Sequence, residues 1–190
     1  TQSLWMMDRI GSIAKGELPF LLSAYSVLRE GGVLAAVLPG ALLYREGKES
    51  QLRRFLVQEQ NALDMVMLLP DHILQAAGQK EVLLLLRKNR SRKDVMFFDC
   101  SEMESFGEEQ LGTIQLAWKE RKTIPGFCSR AEQADLEKNE FNLNFPRYII
   151  KNVKITKVDI EARKKRIAEI DRELEEIDKR IAMYKRDLEL

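Results

Sequence analysis

The sequence contains few of the side chains on which enzyme chemistry usually depends. Of its 190 residues, two are cysteines, Cys100 and Cys128, which lie far apart and form no Cys-x-x-Cys pair. Neither a zinc site nor a disulfide framework is therefore indicated, and a reducing cytoplasm is the expected location. The single histidine, His72, follows an expected strand end, where open α/β sheets often hold ligands, but a lone histidine is more often a loop residue. Asp99 ends another expected strand and is interpreted in the same way, so we assign no catalytic or metal-binding residue.

Net charge and long apolar segments are also missing. The chain has 31 lysines and arginines against 30 acidic residues, so contact with nucleic acid would need a local basic patch or a partner. Apolar runs such as Val33–Leu38 and Val82–Leu86 are far shorter than the roughly 20 residues that cross a bilayer, which favours buried strands and no membrane segment. Glycine-rich phosphate-binding motifs do not occur. The chain begins at Thr1 without a targeting pattern, which suggests an excerpt or a cleaved product.

The first half of the chain alternates helix and strand patterns. Apolar residues at helical spacing predict a helix over Glu17–Arg29, with Gly31 and Gly32 at its C-cap. The all-apolar run Val33–Leu38 is typical of a parallel strand that is buried on both faces. A second amphipathic helix ending near Asn61 and a second strand, Asp64–Leu69, repeat the unit. Two αβ units in tandem favour a doubly wound α/β sheet.

Further strands and helices are expected in the second half. Glu81–Arg87 and Val95–Asp99 are predicted strands, and the short polar link between them is compatible with an antiparallel pair. A helix is expected over Glu108–Arg121, and the capping-box spacing of Ser129 and Glu132 predicts that another helix begins there.

Basic residues are concentrated near the second helix. Arg45, Lys48, Arg53 and Arg54 are candidate contacts to DNA phosphates, although such a cluster is more often a solvated helix face. The run Lys88–Lys93 leaves the same two interpretations open.

The last segment predicts one long helix. Thr156 and Asp159 have capping-box spacing, and neither glycine nor proline occurs from there to Leu190. Apolar residues recur at alternating intervals of three and four, which is the pattern of a coiled-coil seam: Ile160, Ile167, Ile170, Leu174, Ile177, Ile181, Tyr184 and Leu188. Arg163 is the one interruption. A helix that folds back on its own domain is the simpler alternative, but the narrow stripe favours a helical partner.

The charges that flank this seam bear on the partner. In a parallel homodimer, three pairings would face each other across the seam, one attractive and two repulsive: Arg166 with Asp171, Glu173 with Asp178, and Arg180 with Lys185. A parallel homodimer is therefore disfavoured, and an antiparallel or heteromeric arrangement stays open.

Several segments, taken in order, resemble one protein family. These are the helix from Phe20 to Leu28 before Gly31-Gly32, the runs Leu38-Pro39-Gly40, Leu42-Leu43-Tyr44-Arg45, Leu68-Leu69-Pro70 and Leu86-Arg87-Lys88-Asn89, the strand 95–99 before Cys100-Ser101, and the ordered loop Asn139–Tyr148, in which Pro146 opposes helix. They resemble the modification subunits of type I restriction systems, which are N6-adenine DNA methyltransferases, in the part that follows the Asn-Pro-Pro-aromatic motif. The segment NEFNLNFPRY is the most specific.

The resemblance implies a partial Rossmann-like methyltransferase sheet over residues 1–150 and a long coiled-coil helix over 151–190. It implies S-adenosylmethionine as methyl donor and a flipped adenine in DNA as acceptor. The family's cofactor motif and its Asn-Pro-Pro-aromatic motif both precede this chain, so we expect the chain alone neither to hold the cofactor well nor to transfer methyl groups. Where the family has a Gly-Thr-Gly-like loop, residues 74–80 read LQAAGQK.

The resemblance also implies a partner for the terminal helix, because that helix packs on the specificity subunit in this family. The residues expected to make this contact are Ile167, Ile170, Leu174, Ile177, Ile181 and Tyr184. DNA is expected to be bound through the assembled complex. Two alternatives are a non-enzymatic adaptor that self-associates through this helix and an independent nucleic-acid-binding module, which would need a concentrated basic face.

Overall fold

The computed structural model describes residues 17–71, 80–151 and 160–187, and within the last range the side chains of residues 164–181. The chain divides into two compact units, residues 1–151 and 152–190. The first unit contains the sheet, and the second contains the terminal helix.

Five strands and four α-helices form the described part of the first unit, together with two 3₁₀ turns, Gly40–Leu43 and Phe145–Arg147, and a π-helical segment, Phe55–Glu59. In chain order the elements are α1 (Glu17–Ser26), β1 (Val33–Pro39), α2 (Lys48–Arg54), β2 (Leu63–Leu68), β3 (Glu81–Arg87), β4 (Val95–Asp99), α3 (Glu108–Glu120), β5 (Cys128–Ala131) and α4 (Gln133–Lys138). The second unit is the helix α5 (Ile160–Asp187). The predicted strands β2, β3 and β4 are confirmed within one residue at each end.

The strand order is β1-β3-β2-β4-β5. Strand β3 pairs antiparallel with both β1 and β2, while β2 and β4 are parallel and β5 is antiparallel to β4. The expected α/β sheet is confirmed, and it is mixed: β1, β2 and β4 run in one direction, and β3 and β5 run in the other. The antiparallel pairing of β3 with β4 that the short link allowed does not occur, because β1 and β2 occupy both edges of β3 and β4 joins the far edge of β2.

The two faces of the sheet carry separate cores. One face packs against α1, α2 and the segment 141–149, and the other packs against α3. Adjacent residues of β4 point to opposite sides, so Phe97 belongs to the first core and Phe98 to the second. Every residue of β2 is buried, as is expected for the central strand.

Strand β1 is the exception to the sequence prediction of a strand buried on both faces. It forms one edge of the described sheet, and its exposure alternates along the strand. Leu34 and Ala36 pack against the first core, whereas Val33 and Val37 on the other face are 46% and 45% exposed. An apolar strand that is half covered is compatible with an edge that continues into further structure.

Three local predictions need correction. Helix α1 ends at Ser26 rather than Arg29, and Gly31 (φ +70°) is not its C-cap but belongs to the turn into β1, where its N–H donates to Lys88 O at 3.2 Å. Ser129 lies in β5 and begins no helix. The capping box is instead formed by Glu132 and Asp135 at the start of α4.

A buried carboxylate links the start of β2 to the end of β3. Asp64, on β2, is 2% exposed, and three arginines surround it. Arg90 approaches its Oδ1 at 3.1 Å, Arg121 also bonds to Oδ1, and Arg87 Nε lies 3.8 Å from Oδ2. Burial lowers the pKa of Arg90 from its ordinary value, and the neighbouring Asp64 carboxylate opposes that effect. These contacts link β2, β3, the β3–β4 turn and the end of α3.

Replacing this carboxylate should destabilise the sheet strongly. In Asp64→Ala, Arg90 and Arg121 would remain nearly buried without the anion that compensates them, so we expect a loss of about 3–5 kcal/mol in the free energy of unfolding. Urea unfolding followed by circular dichroism measures this loss. Glu104→Ala, at an exposed carboxylate, is the matched control. Equal midpoints for the two variants would show that Asp64 does not organise this edge.

Candidate functional site

The carboxyl ends of three strands meet at one edge of the sheet. Strands β1, β2 and β4 run in the same direction, because β3 is antiparallel to β1 and β2, and β4 is parallel to β2. Open α/β sheets bind ligands at this edge. A cleft of about 560 Å³ lies there, lined by residues of the strand ends, the 3₁₀ turns and the loops: Gly40, Ala41, Leu43, Tyr44, Arg45, Leu68, Lys80, Val82, Asp99, Ser101, Asn144, Phe145, Pro146 and Lys151.

Asp99 and Lys151 form the best-defined polar pair of this carboxyl-edge cleft. Lys151 Nζ lies 2.9 Å from Asp99 Oδ2 and donates to Ser101 Oγ at 3.2 Å and to Glu102 Oε1 at 2.9 Å. Ser101 donates to Asp99 from both its backbone N–H and its hydroxyl. Burial alone would raise the pKa of Asp99, but the hydrogen bonds from Ser101 and Lys151 outweigh it and hold the pKa below its ordinary value. Asp99 is therefore an ionised anchor and is not suited to act as a general base at neutral pH.

The loop Asn139–Tyr148 forms one wall of the carboxyl-edge cleft. Tyr148 stacks on Phe97 with ring centroids 4.0 Å apart, and its hydroxyl donates to Asn142 O at 2.7 Å. Burial raises the pKa of Tyr148 to about 12. Phe145 meets Phe97 edge to face at 5.9 Å. These contacts fix the loop on β4 and present Asn144 to the cleft, which agrees with the expectation of an ordered loop.

The opposite wall begins at Gly40, directly after β1. Its N–H donates to Lys80 O at 2.8 Å, and a Cβ at this position would lie 2.9 Å from the same oxygen. Only glycine allows the backbone to approach so closely. The 3₁₀ turn that follows places Tyr44 and Arg45 at the cleft, and Tyr44 is 50% exposed.

The four basic residues proposed as DNA contacts differ in position. Arg45 is exposed and lines the cleft, and Lys48 and Arg54 are exposed on α2. The guanidinium of Arg54 lies 5.1 Å from the centre of the Phe141 ring. These three keep the proposed role.

Arg53 does not keep that role, because it is 3% exposed. It donates to the carbonyl oxygens of Phe141 at 2.9 Å, Leu42 at 2.8 Å and Arg45 at 2.7 Å. Burial lowers its pKa from the ordinary value. Arg53 therefore joins α2 to both walls of the cleft and is not a phosphate contact, and the alternative of a solvated helix face is wrong for it as well.

The cysteines are both free and buried, and burial raises the pKa of the Cys100 thiol to about 12. Within residues 17–71, 80–151 and 160–187, no group of histidine, cysteine or acidic side chains is arranged to hold a metal ion, and no helix is long and apolar enough to cross a membrane. His72 lies outside the described residues.

The terminal helix exposes its apolar seam. Ile167 is 59% exposed and Leu174 53%, and Ile170, Ile177 and Ile181 range from 42% to 48%. The side chain of Tyr184 and the predicted start of the helix at Thr156–Asp159 lie outside the described residues.

Sequence reasoning missed Lys151 and Asn144 as parts of a site. Lys151 stands alone after Ile149 and Ile150, and no local pattern signals that it reaches the end of β4. Asn144 belongs to the loop Asn139–Tyr148, which was predicted to be an ordered loop, but its position at the cleft was not predicted. Asp99 was noted only as a strand-end residue, and its neighbours became apparent from the fold.

Comparison with known proteins identifies the family. Residues 4–156 match the model of the family described as N-6 DNA Methylase, which is most of the chain.

The chain belongs to the N-6 DNA methylase family.

Its relatives in this family are subunits of type I restriction enzymes. The chain is 29% identical over 165 residues to the MpnII methylase subunit of Mycoplasma pneumoniae, which covers 83% of this chain and 30% of that protein. It is 28% identical over 126 residues to the MjaVIII methylase subunit of Methanocaldococcus jannaschii, a match that covers 60% of this chain and 22% of that protein. The chain therefore spans less than a third of the length of these N-6 DNA methylases.

Solved structures agree with this assignment. The type I restriction-modification methyltransferase subunit from Streptococcus thermophilus has a TM-score of 0.69 and 32% identity, over 79% of this chain and 35% of that one. A chain from a structure of type I restriction-modification complex assembly shares the fold, with a TM-score of 0.56 at 19% identity over 86% of this chain and 39% of that one. The mixed sheet of this chain is thus similar to that of a methyltransferase subunit.

Removing Lys151 should change the titration of Asp99. In Lys151→Met, loss of the Lys151 hydrogen bond and charge should raise the pKa of Asp99, since burial, which raises it, remains. Because the pKa of Asp99 is depressed in the wild type, ionised Asp99 stabilises the folded state. This stabilisation is present above the ordinary carboxyl pKa and disappears as the pH falls through the lowered pKa.

Carboxyl ¹³C NMR measures the titration, with the exposed Lys138→Met as control. The stability of Lys151→Met should fall below that of the wild type at neutral pH, and the difference should shrink in acid. An unchanged Asp99 pKa would contradict the pairing.

Proposed function

We propose that this chain is the C-terminal portion of a type I N6-adenine DNA methyltransferase subunit. In this role residues 1–150 complete the methyltransferase sheet, and residues 151–190 dock the specificity subunit through the terminal helix. The family match over residues 4–156 is the observation that carries the proposal. The alternative of a non-enzymatic adaptor is not favoured by this match.

The exposed face and edge of β1 support the first role. In the register of β1 with β3, Val37 lies opposite Leu83 and Ala35 opposite Leu85. Val33, Ala35 and Val37 are all exposed, so β1 presents apolar side chains without a covering helix among the described residues, while its outer edge has no partner strand there. Unpaired strand edges readily accept another strand. The remainder of a protein about three times as long is a suitable source of that strand.

The carboxyl-edge cleft is the proposed DNA side of this chain. It has the exposed aromatic Tyr44 and the exposed basic residues Arg45 and Lys80. An aromatic ring and cations suit a base and a phosphate respectively.

S-Adenosylmethionine, the methyl donor of the family, fits this cleft poorly. Its sulfonium is positively charged, and the carboxylate of Asp99 is already paired with Lys151. We therefore assign no cofactor-binding residue to this chain and place the cofactor in the part of the protein that precedes it. On this proposal the chain alone does not transfer methyl groups.

The exposed seam of α5 supports the second role. Five apolar side chains at coiled-coil spacing are 42–59% exposed on a helix of 28 residues, and an exposed apolar stripe of this kind marks an interaction surface. The relatives are named as subunits, which places them in assemblies of several chains. The like charges across a parallel homodimer favour a different protein as partner.

Docking can be tested by measuring the solution mass of the chain alone and after mixing with the matching specificity subunit. Light scattering should show a monomer that forms a hetero-complex. Leu174→Asp/Ile177→Asp should abolish the complex, because two charges would be buried in the seam. Arg172→Asp/Lys179→Asp, on the opposite face of the same helix, should leave it intact.

A stable homodimer that does not bind the specificity subunit would overturn the docking role and favour self-association. Equal loss of the complex in both double variants would also overturn it, because the effect would then not depend on the seam.

A further inference from the structure

A second cleft, of about 420 Å³, lies at the opposite edge of the sheet, where β2 begins and β3 ends. Five cationic side chains and a single carboxylate line it: Arg87, Arg90, Arg92, Lys119, Arg121 and Asp64. This arginine cleft is locally basic, although the chain as a whole has a net charge of +1. It shares no lining residue with the carboxyl-edge cleft.

The ion pairs within the arginine cleft do not balance its charge. Arg90 and Arg121 are almost fully buried against Asp64, with side chains 4% and 8% exposed. Arg87 is held loosely, since its side chain is 37% exposed and its Nε lies 3.8 Å from Asp64 Oδ2. The neighbouring Asp94 is engaged with Arg121 at 3.7 Å and with Arg130 at 3.1 Å. One carboxylate thus organises three guanidinium groups and leaves positive charge facing the cleft.

The rim and floor of the cleft add further donors. Arg92 and Lys119 are exposed at the rim. Trp118 lies between them and the core, with its ring centre 6.0 Å from the guanidinium carbon of Arg87 and 5.9 Å from that of Arg121. Its indole Nε1 is buried without a hydrogen-bond partner among the described residues. Both guanidinium groups are within the range of a cation–π contact with this ring.

We propose that the arginine cleft binds phosphate groups of a nucleic-acid backbone without reading its sequence. Guanidinium groups present planar, forked donors that match the oxygens of a phosphate, and those of Arg87 and Arg92 are the ones in this cleft that solvent reaches. A carboxylate-bearing peptide is a weaker match, because several cations converge on one small volume that suits a compact anion. The choice of DNA as the polymer rests on the proposed function, whereas the presence of an anion site does not.

The proposal predicts salt-dependent binding of the full chain to a fluorescein-labelled DNA duplex of arbitrary sequence, measured by fluorescence anisotropy. Arg92→Gln/Lys119→Gln should raise Kd about tenfold and lower the slope of log Kd against log [NaCl] by nearly 2, since each lost phosphate contact removes about 0.9. Arg172→Gln/Lys179→Gln, which removes the same charge from α5, should bind like the wild type. Thermal unfolding checks that both variants are folded.

Competition for the labelled duplex distinguishes a nucleic-acid backbone from other anions as the ligand of the cleft. Unlabelled duplex of a different sequence should displace the probe fully, and inorganic pyrophosphate should displace it only at much higher concentration. The proposal is overturned if the duplex does not bind, if both double variants weaken binding equally, or if poly-glutamate competes as well as DNA at equal charge. These outcomes leave docking of the specificity subunit unaffected, so the two proposals fail separately.

Discussion

The position of β3 between β1 and β2 determines most of what the fold can do. Because β3 runs against both neighbours, β1, β2 and β4 all point the same way, and their carboxyl ends meet at one edge. The carboxyl-edge cleft forms there. The same geometry brings the start of β2 next to the end of β3 at the other edge, where Asp64 pairs with three arginines. A chain of nearly zero net charge thereby acquires two separate basic clefts.

Buried charges are arranged differently at the two edges. Asp99 is balanced by Lys151 and by hydrogen bonds from Ser101, so its environment favours the ionised carboxylate. Asp64 is outnumbered by the cations around it, which leaves positive charge at the surface. Arg53 shows a third arrangement, in which three carbonyl oxygens accept hydrogen bonds from a buried guanidinium. Position in the fold, rather than residue type, therefore decides which basic residues are open to solvent.

Local patterns predicted the elements well and their arrangement poorly. Apolar runs located β2, β3 and β4 because strand residues buried on the sheet leave a clear signal. The placement of β4 beside β2 depends on contacts between distant residues, and no local pattern encodes it. The same reason explains why Arg53 looked like a surface cation and why Lys151 was missed. The exposed seam of α5 follows directly from heptad spacing, which is a local property.

The claim that β1 is an internal strand of a larger sheet can be tested most directly by amide hydrogen exchange. In an antiparallel pair, alternate amides of β1 face β3 and the others face outward. In this chain alone, the outward amides between Val33 and Leu38 should exchange quickly and those bonded to β3 slowly. In a full-length methyltransferase subunit both sets should be protected. Fast exchange of the outward amides in the full-length subunit would contradict the claim that β1 receives a further strand.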